Sequence, residues 1–162
     1  MFVPYVSSAV VAVLALLACI VAFPRRREVP LGRWRLVVPP LLVAAATLLL
    51  LRLPPYDDLR DPEVWMIGIP FALGGMARGA LIELRVDHGL GKLALLRAPE
   101  EFWIALLALV LILFDIADEP FGRLDSEYAQ TVELGLVILA SFMVGRNAAV
   151  LVRSRDAPQH DL

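Results

Sequence analysis

The chain has one cysteine, two histidines and a single lysine in 162 residues. One thiol, Cys19, closes no intramolecular disulfide, and there is no CxxC or CxxCH for thiol exchange or covalent haem attachment. His88 and His160 fall in polar stretches, so no histidine pair sits in an apolar segment to ligate a haem. HExxH, the GxxxxGK[ST] phosphate loop, GxGxxG and the GxSxG elbow are all missing. Ser7, Ser8 and Ser141 have no histidine in the apolar segments to activate them. These gaps assign no catalytic residue, no metal ligand and no cofactor, and the chain is not expected to be an enzyme. An excess of positive charge is lacking too. Fifteen Lys+Arg against 17 Asp+Glu give a net charge of −2, which excludes a generic nucleic-acid footprint.

What the chain has is apolar surface. Hydrophobic residues make up 59%, charged residues 20%, and the mean hydropathy is +0.73. A soluble domain carries roughly 45–50% apolar residues, and one this small has too little interior to hide the excess. Five apolar stretches, separated by charge and proline, predict helices over about 5–23, 36–53, 64–82, 100–117 and 128–152. A helix of about 20 residues spans the hydrocarbon core at about 1.5 Å per residue. Helices are preferred because lipid offers backbone groups no partner outside the segment. Runs such as Val10–Leu17 and Ala105–Phe114 are apolar on every face, unlike the alternating strands of a barrel. The expected fold is an all-α integral membrane protein with five transmembrane helices. It forms one membrane domain over 1–162 and ends in a flexible tail at 154–162. Segments two and four are short, which leaves half-insertion open.

The first segment resembles a signal peptide at Leu16-Leu17-Ala18-Cys19, a lipoprotein-like cleavage box. Three features favour a retained helix: no Lys or Arg precedes it, the apolar run continues through Phe23, and Arg25-Arg26-Arg27 follows at once. Alternating connections then set the orientation. One set holds Arg25, Arg26, Arg27, Arg33, Arg35, Arg85, Lys92, Arg97, Arg153 and Arg155; the other holds Arg52, Arg60 and Arg123. The first set is therefore expected in the cytoplasm, giving an N-out/C-in protein of the bacterial inner membrane. Arg25, Arg26 and Arg27 would rest on anionic headgroups at about 1 kcal/mol per charge. Trp34, Trp65 and Trp103 stand near helix starts, as interfacial anchors do.

Between helices three and four, over about 83–97, apolar and charged residues alternate around Asp87-His88-Gly89-Leu90-Gly91, which predicts a short cytoplasmic β-hairpin. Pro99-Glu100-Glu101 suits a helix N-terminus, where the macrodipole favours acids.

Candidate sites lie in the helices. Gly75 and Gly79 form a GxxxG spacing that lets another helix approach closely. Arg78 lies between them, and Arg146 and Asn147 lie on helix five. One reading gathers Arg78, Arg146 and Asn147 into a polar pocket with Glu83, Glu100 or Glu101 as counter-charges. The other has both arginines snorkelling to the headgroups. Asp115 and Glu133 either relay protons or a cation, or mark helix ends within headgroup reach. Asp57, Asp58 and Asp61 lack the spacing of a calcium loop and read as a solvated face.

The pattern resembles the CcdC-like family of small bacterial multi-pass membrane proteins. The residues that carry it are Arg25-Arg26-Arg27-Glu28-Val29-Pro30 after the first helix, Arg35-Leu36-Val37-Val38-Pro39-Pro40 opening the second, and the charged hairpin around Asp87-His88-Gly89 leading into the fourth. The resemblance implies a link to cytochrome c biogenesis or a respiratory complex, with no catalytic residue to carry over; a transmembrane thiol relay would need a second cysteine. The expected function is a non-enzymatic accessory or assembly subunit. Its partners would be the lipid bilayer and another membrane protein or a second copy packed at Gly75/Gly79. The alternative is a small transport or sensory unit binding an anionic solute or lipid at Arg78/Arg146.

Overall fold

A computed structural model describes residues 3–23, 31–32, 34–52, 62–82, 84–87, 92–95, 100–118 and 126–156. It contains five helices: α1 (Val3–Ala22), α2 (Trp34–Leu50), α3 (Pro62–Ala80), α4 (Glu100–Asp118) and α5 (Ser126–Asp156). Short strands β1 (Leu31–Gly32), β2 (Leu84–Asp87) and β3 (Lys92–Leu95) form an antiparallel sheet in the order β1-β3-β2. Leu84 pairs with Leu95, and Asp87 with Lys92. Arg25, Arg26, Arg27, Glu83, the 88–91 turn and the acids at 57–61 lie outside the described residues.

Among the described residues, one helix is long and apolar enough to cross a membrane, over Gln130–Arg155; Ser8–Ala22 and Trp34–Leu50 are shorter apolar helices. α2, with 17 residues, is about 25 Å long, short of the roughly 30 Å hydrocarbon core. α5 is longer than the sequence suggested. It continues to Asp156, so the first residues assigned to a flexible tail are helical. Arg153 and Arg155 in its last turn favour this, since cations complement the C-terminal end of the dipole.

Four helices share one apolar core. Val11, Ala15 and Ala18 of α1, Val43 and Ala46 of α2, Ala105, Ala108 and Ile112 of α4, and Val132, Leu136 and Met143 of α5 are buried together. Alanine recurs at these contact positions, and small side chains bring helix backbones close. Thr47 is buried in α2, and its hydroxyl donates to the Val43 carbonyl at 2.9 Å, which settles its polar group inside the helix.

α3 is attached differently. It packs on α5 alone among the helices with extensive contact, through backbone approach rather than interlocking side chains. A Cβ on Gly75 would overlap the Phe142 carbonyl, and one on Gly79 the Arg146 carbonyl. Gly145 answers from α5, directly against the Ala72 carbonyl. The Gly75/Gly79 face is thus filled by α5 of the same chain, and a second copy or another protein would need a different surface. A small cluster of Leu51, Val64 and Val137 joins the far end of α3 to the bundle.

Candidate functional site

The C-terminal ends of α1, α3 and α5 and the N-terminal ends of α2 and α4 meet at one end of the bundle. Phe23 stacks edge-on against Phe102, with ring centroids 5.3 Å apart, tying α1 to α4 there. The sheet contacts α2 and α5 at this end. Arg35, Arg78, Arg146, Arg153 and Arg155, with Arg85 and Lys92 on the strands, lie toward it, whereas Arg52 follows α2 at the other.

Arg146 is the centre of this end. Its side chain is 0% exposed, so it does not snorkel. Nη1 donates to Glu101 Oε1 and to Asn147 Oδ1, both at 2.7 Å. Nε lies 3.4 Å from Glu100 Oε2, an ion-pair distance rather than a hydrogen bond. Among the described residues, neither Nε nor Nη2 has a hydrogen-bond acceptor. Arg78 approaches from α3 and is 45% exposed. Its Nε donates to both Glu100 oxygens, at 3.0 and 3.2 Å, and its Nη2 also engages Oε1. Glu100 is 30% exposed, and Glu101 only 12%.

The structure therefore brings Arg78, Arg146, Asn147 and Glu101 together with Glu100. Two cations face two anions, so the cluster carries no net charge. Both acids sit in the first turn of α4, where the helix dipole already favours them. The position of Glu83 lies outside the described residues.

Two contacts were not anticipated from sequence. Asn147 Nδ2 donates to the Leu36 carbonyl at 3.0 Å. Leu36 lies four residues before Pro40, which has no N–H to give it, so α5 supplies the hydrogen bond that α2 cannot make for itself. The signal was legible as a proline inside an apolar helix together with a polar residue in another helix. Arg153 Nη1 donates to the Gly79 and Ile82 carbonyls, at 3.1 and 2.8 Å, and so caps the C-terminal end of α3.

Asp115 and Glu133, read either as a relay for protons or a cation or as helix-end markers within headgroup reach, do not stand at exposed positions. Both are buried, and both carry polar interactions within the fold. The reason is packing: they lie on faces of α4 and α5 turned toward the other helices. Trp34, Trp65 and Trp103 are exposed at the starts of α2, α3 and α4, and Arg35 lies 5.3 Å from the Trp34 ring centre. Among the described residues, no group of three or more His, Cys, Asp or Glu could hold a metal ion. No family model, no curated protein and no solved structure matches the chain.

Proposed function

We propose that this is a small multi-pass protein of the bacterial inner membrane that serves as a non-enzymatic accessory or assembly subunit. The observation that carries the membrane reading is the distribution of polarity. Large apolar side chains are exposed on every helix, among them Ile20, Leu41, Ile69, Leu107 and Val152, and Met66 reaches 71%. Meanwhile Arg146, Asn147, Glu133 and Asp115 are inside. A water-soluble fold has the reverse preference, and continuous exposed apolar surface calls for lipid or protein cover. The basic end belongs in the cytoplasm and the N-terminus outside.

The accessory role draws on two features. The ion pairs of the cluster are made within the chain, as structural links between helices. The exposed outer side of α3 leaves room for a lateral partner. The resemblance to the CcdC-like family, at Arg25–Pro30, Arg35–Pro40 and the hairpin, supplies a setting in cytochrome c biogenesis or a respiratory complex. Reporter fusions at Arg27 and at the Asp57–Asp61 connection test the topology: Arg27 should report cytoplasmic and the acidic connection periplasmic. Release of the native chain into carbonate wash without detergent would refute the membrane reading. Co-purification from mild detergent tests the role, and a monodisperse monomer without partners at native expression would count against it.

A second reading is a transport or sensory unit that binds an anion at Arg78 and Arg146. The shortage of acceptors around Arg146 favours it.

A further inference from the structure

Glu100 is shared by two guanidiniums. Arg78 engages it through Nε and Nη2, while Arg146 brings only Nε to within 3.4 Å. Arg146 commits Nη1 to Glu101 and Asn147, and its Nε and Nη2 lack hydrogen-bond acceptors among the described residues although the side chain is wholly buried. Nε and Nη2 form one edge of the guanidinium, the edge that grips carboxylates and phosphates with two parallel hydrogen bonds. Two such edges therefore face one carboxylate. Its two oxygens lie in one plane and can match only one fork; Arg78 has it and Arg146 does not. A buried charged donor left in this way is costly. A tetrahedral oxyanion has more than two oxygens and can present a separate O–P–O edge to each arginine.

We propose that Arg78 and Arg146 form a binding site for a phosphate group, and that Glu100 is a tethered carboxylate that takes its place when the ligand is away. This rests on the second reading above and names its ligand class. With Glu100 turned outward, Arg78 and Arg146 stand against Glu101 alone, leaving one net positive charge to receive the anion. Arg78 and Glu100 are both partly exposed, so the group enters at the mouth of the cluster without parting the helices. The phosphate comes from either of two sources at this end of the bundle: a lipid phosphomonoester headgroup or free phosphate in the adjoining water.

Thermal unfolding of the full chain in a neutral detergent, with inorganic phosphate, acetate or chloride at matched ionic strength, tests the assignment. Phosphate should raise Tm saturably, and acetate, with two coplanar oxygens, should bind roughly tenfold more weakly. Glu100→Gln removes the competing charge and should tighten phosphate binding by about tenfold, while Arg78→Gln should weaken it by at least that factor. Arg78 is exposed, so its variant keeps the Arg146–Glu101 pair and the fold; if Glu100→Gln does not fold, the Arg78 variant and the acetate comparison decide. Nanodiscs identify the source. Phosphatidic acid, a phosphomonoester with three free oxygens, that weakens the apparent affinity for added phosphate relative to the diester phosphatidylcholine marks a headgroup site, and equal affinity in both marks free phosphate. Acetate or chloride binding as tightly as phosphate would overturn the phosphate assignment and leave an anion site. No saturable response to any of the three, with no difference between the lipids, would overturn both.

Discussion

The hydrogen bond from Asn147 to the Leu36 carbonyl offers a test of how the helices compensate one another. Pro40 removes the N–H that would have reached Leu36, and Asn147 Nδ2 takes its place at 3.0 Å. Both residues are almost fully buried. Asn147→Ala should therefore leave a carbonyl with no partner in an apolar setting, at a cost of about 1–3 kcal/mol. The same change also removes the Asn147 Oδ1 acceptor of Arg146, so the single variant mixes two losses. Pro40→Ala separates them. It returns an N–H four residues after Leu36 and lets α2 satisfy its own carbonyl. In that background Asn147→Ala should still cost the contact to Arg146 but no longer orphan Leu36. The cost of Asn147→Ala should then be smaller by about 1–2 kcal/mol than in the parent chain. Equilibrium unfolding in mixed micelles, followed by tryptophan fluorescence, gives the four stabilities of the cycle. Whatever Pro40→Ala does by itself cancels in the difference. Equal costs in the two backgrounds, to within about 0.5 kcal/mol, would refute the compensation.

Arg146→Met keeps much of the volume but strips the largely buried Glu101 and the buried Asn147 of their partner, and should cost about 3–5 kcal/mol. Glu100→Gln, at the partly exposed side of the same cluster, should cost no more than about 1 kcal/mol; the two variants compared in the same unfolding assay would refute this if their order were reversed. Gly145→Val places a side chain against the Ala72 carbonyl and should loosen α3 from α5 by at least about 1–3 kcal/mol. An engineered cysteine pair across the seam should then crosslink more slowly, and unchanged crosslinking would refute the close approach.

Much of the helical layout was legible because it depends on local composition. The five apolar stretches are broken by Arg25–Arg27, by the prolines and acids near 54–63, by the charged residues after Ile82, and by Asp118-Glu119-Pro120 with Gly122, and the five helices fall between those breaks. The GxxxG pair at Gly75 and Gly79 was legible as a close-packing surface, but not its partner: spacing identifies a face that permits approach, and only the tertiary arrangement shows that Gly145 and the Phe142 and Arg146 carbonyls fill it. The polar cluster was legible as a set of residue types at comparable depth. The division of labour within it was not. Glu100 and Glu101 are neighbours in sequence, yet a turn of about 100° per residue on the helix sends one to Arg78 at the mouth and the other to Arg146 inside. For the same reason Asp115 and Glu133 were misplaced: distance from a helix end says nothing about which way a side chain faces.

The polar contacts also explain why α3 stays where it is. Its seam with α5 is made of glycines, which permit close approach but bury little side-chain area. In the membrane setting proposed above, apolar association of the helices would have no hydrophobic driving force, because the tails are as apolar as leucine. Orientation must then come from directional contacts. At the basic end α3 has three: the Gly79 and Ile82 carbonyls held by Arg153 of α5, and Arg78 held by Glu100 of α4. Two of these fix α3 to the helix it already touches. The third reaches a helix against which it hardly packs. Glu100 is thus the polar link from α3 to α4 at the basic end, and it is also the group that shares itself between two arginines. Any anion that displaces Glu100 from Arg78 would have to restore that link through its own oxygens or release the end of α3 from α4.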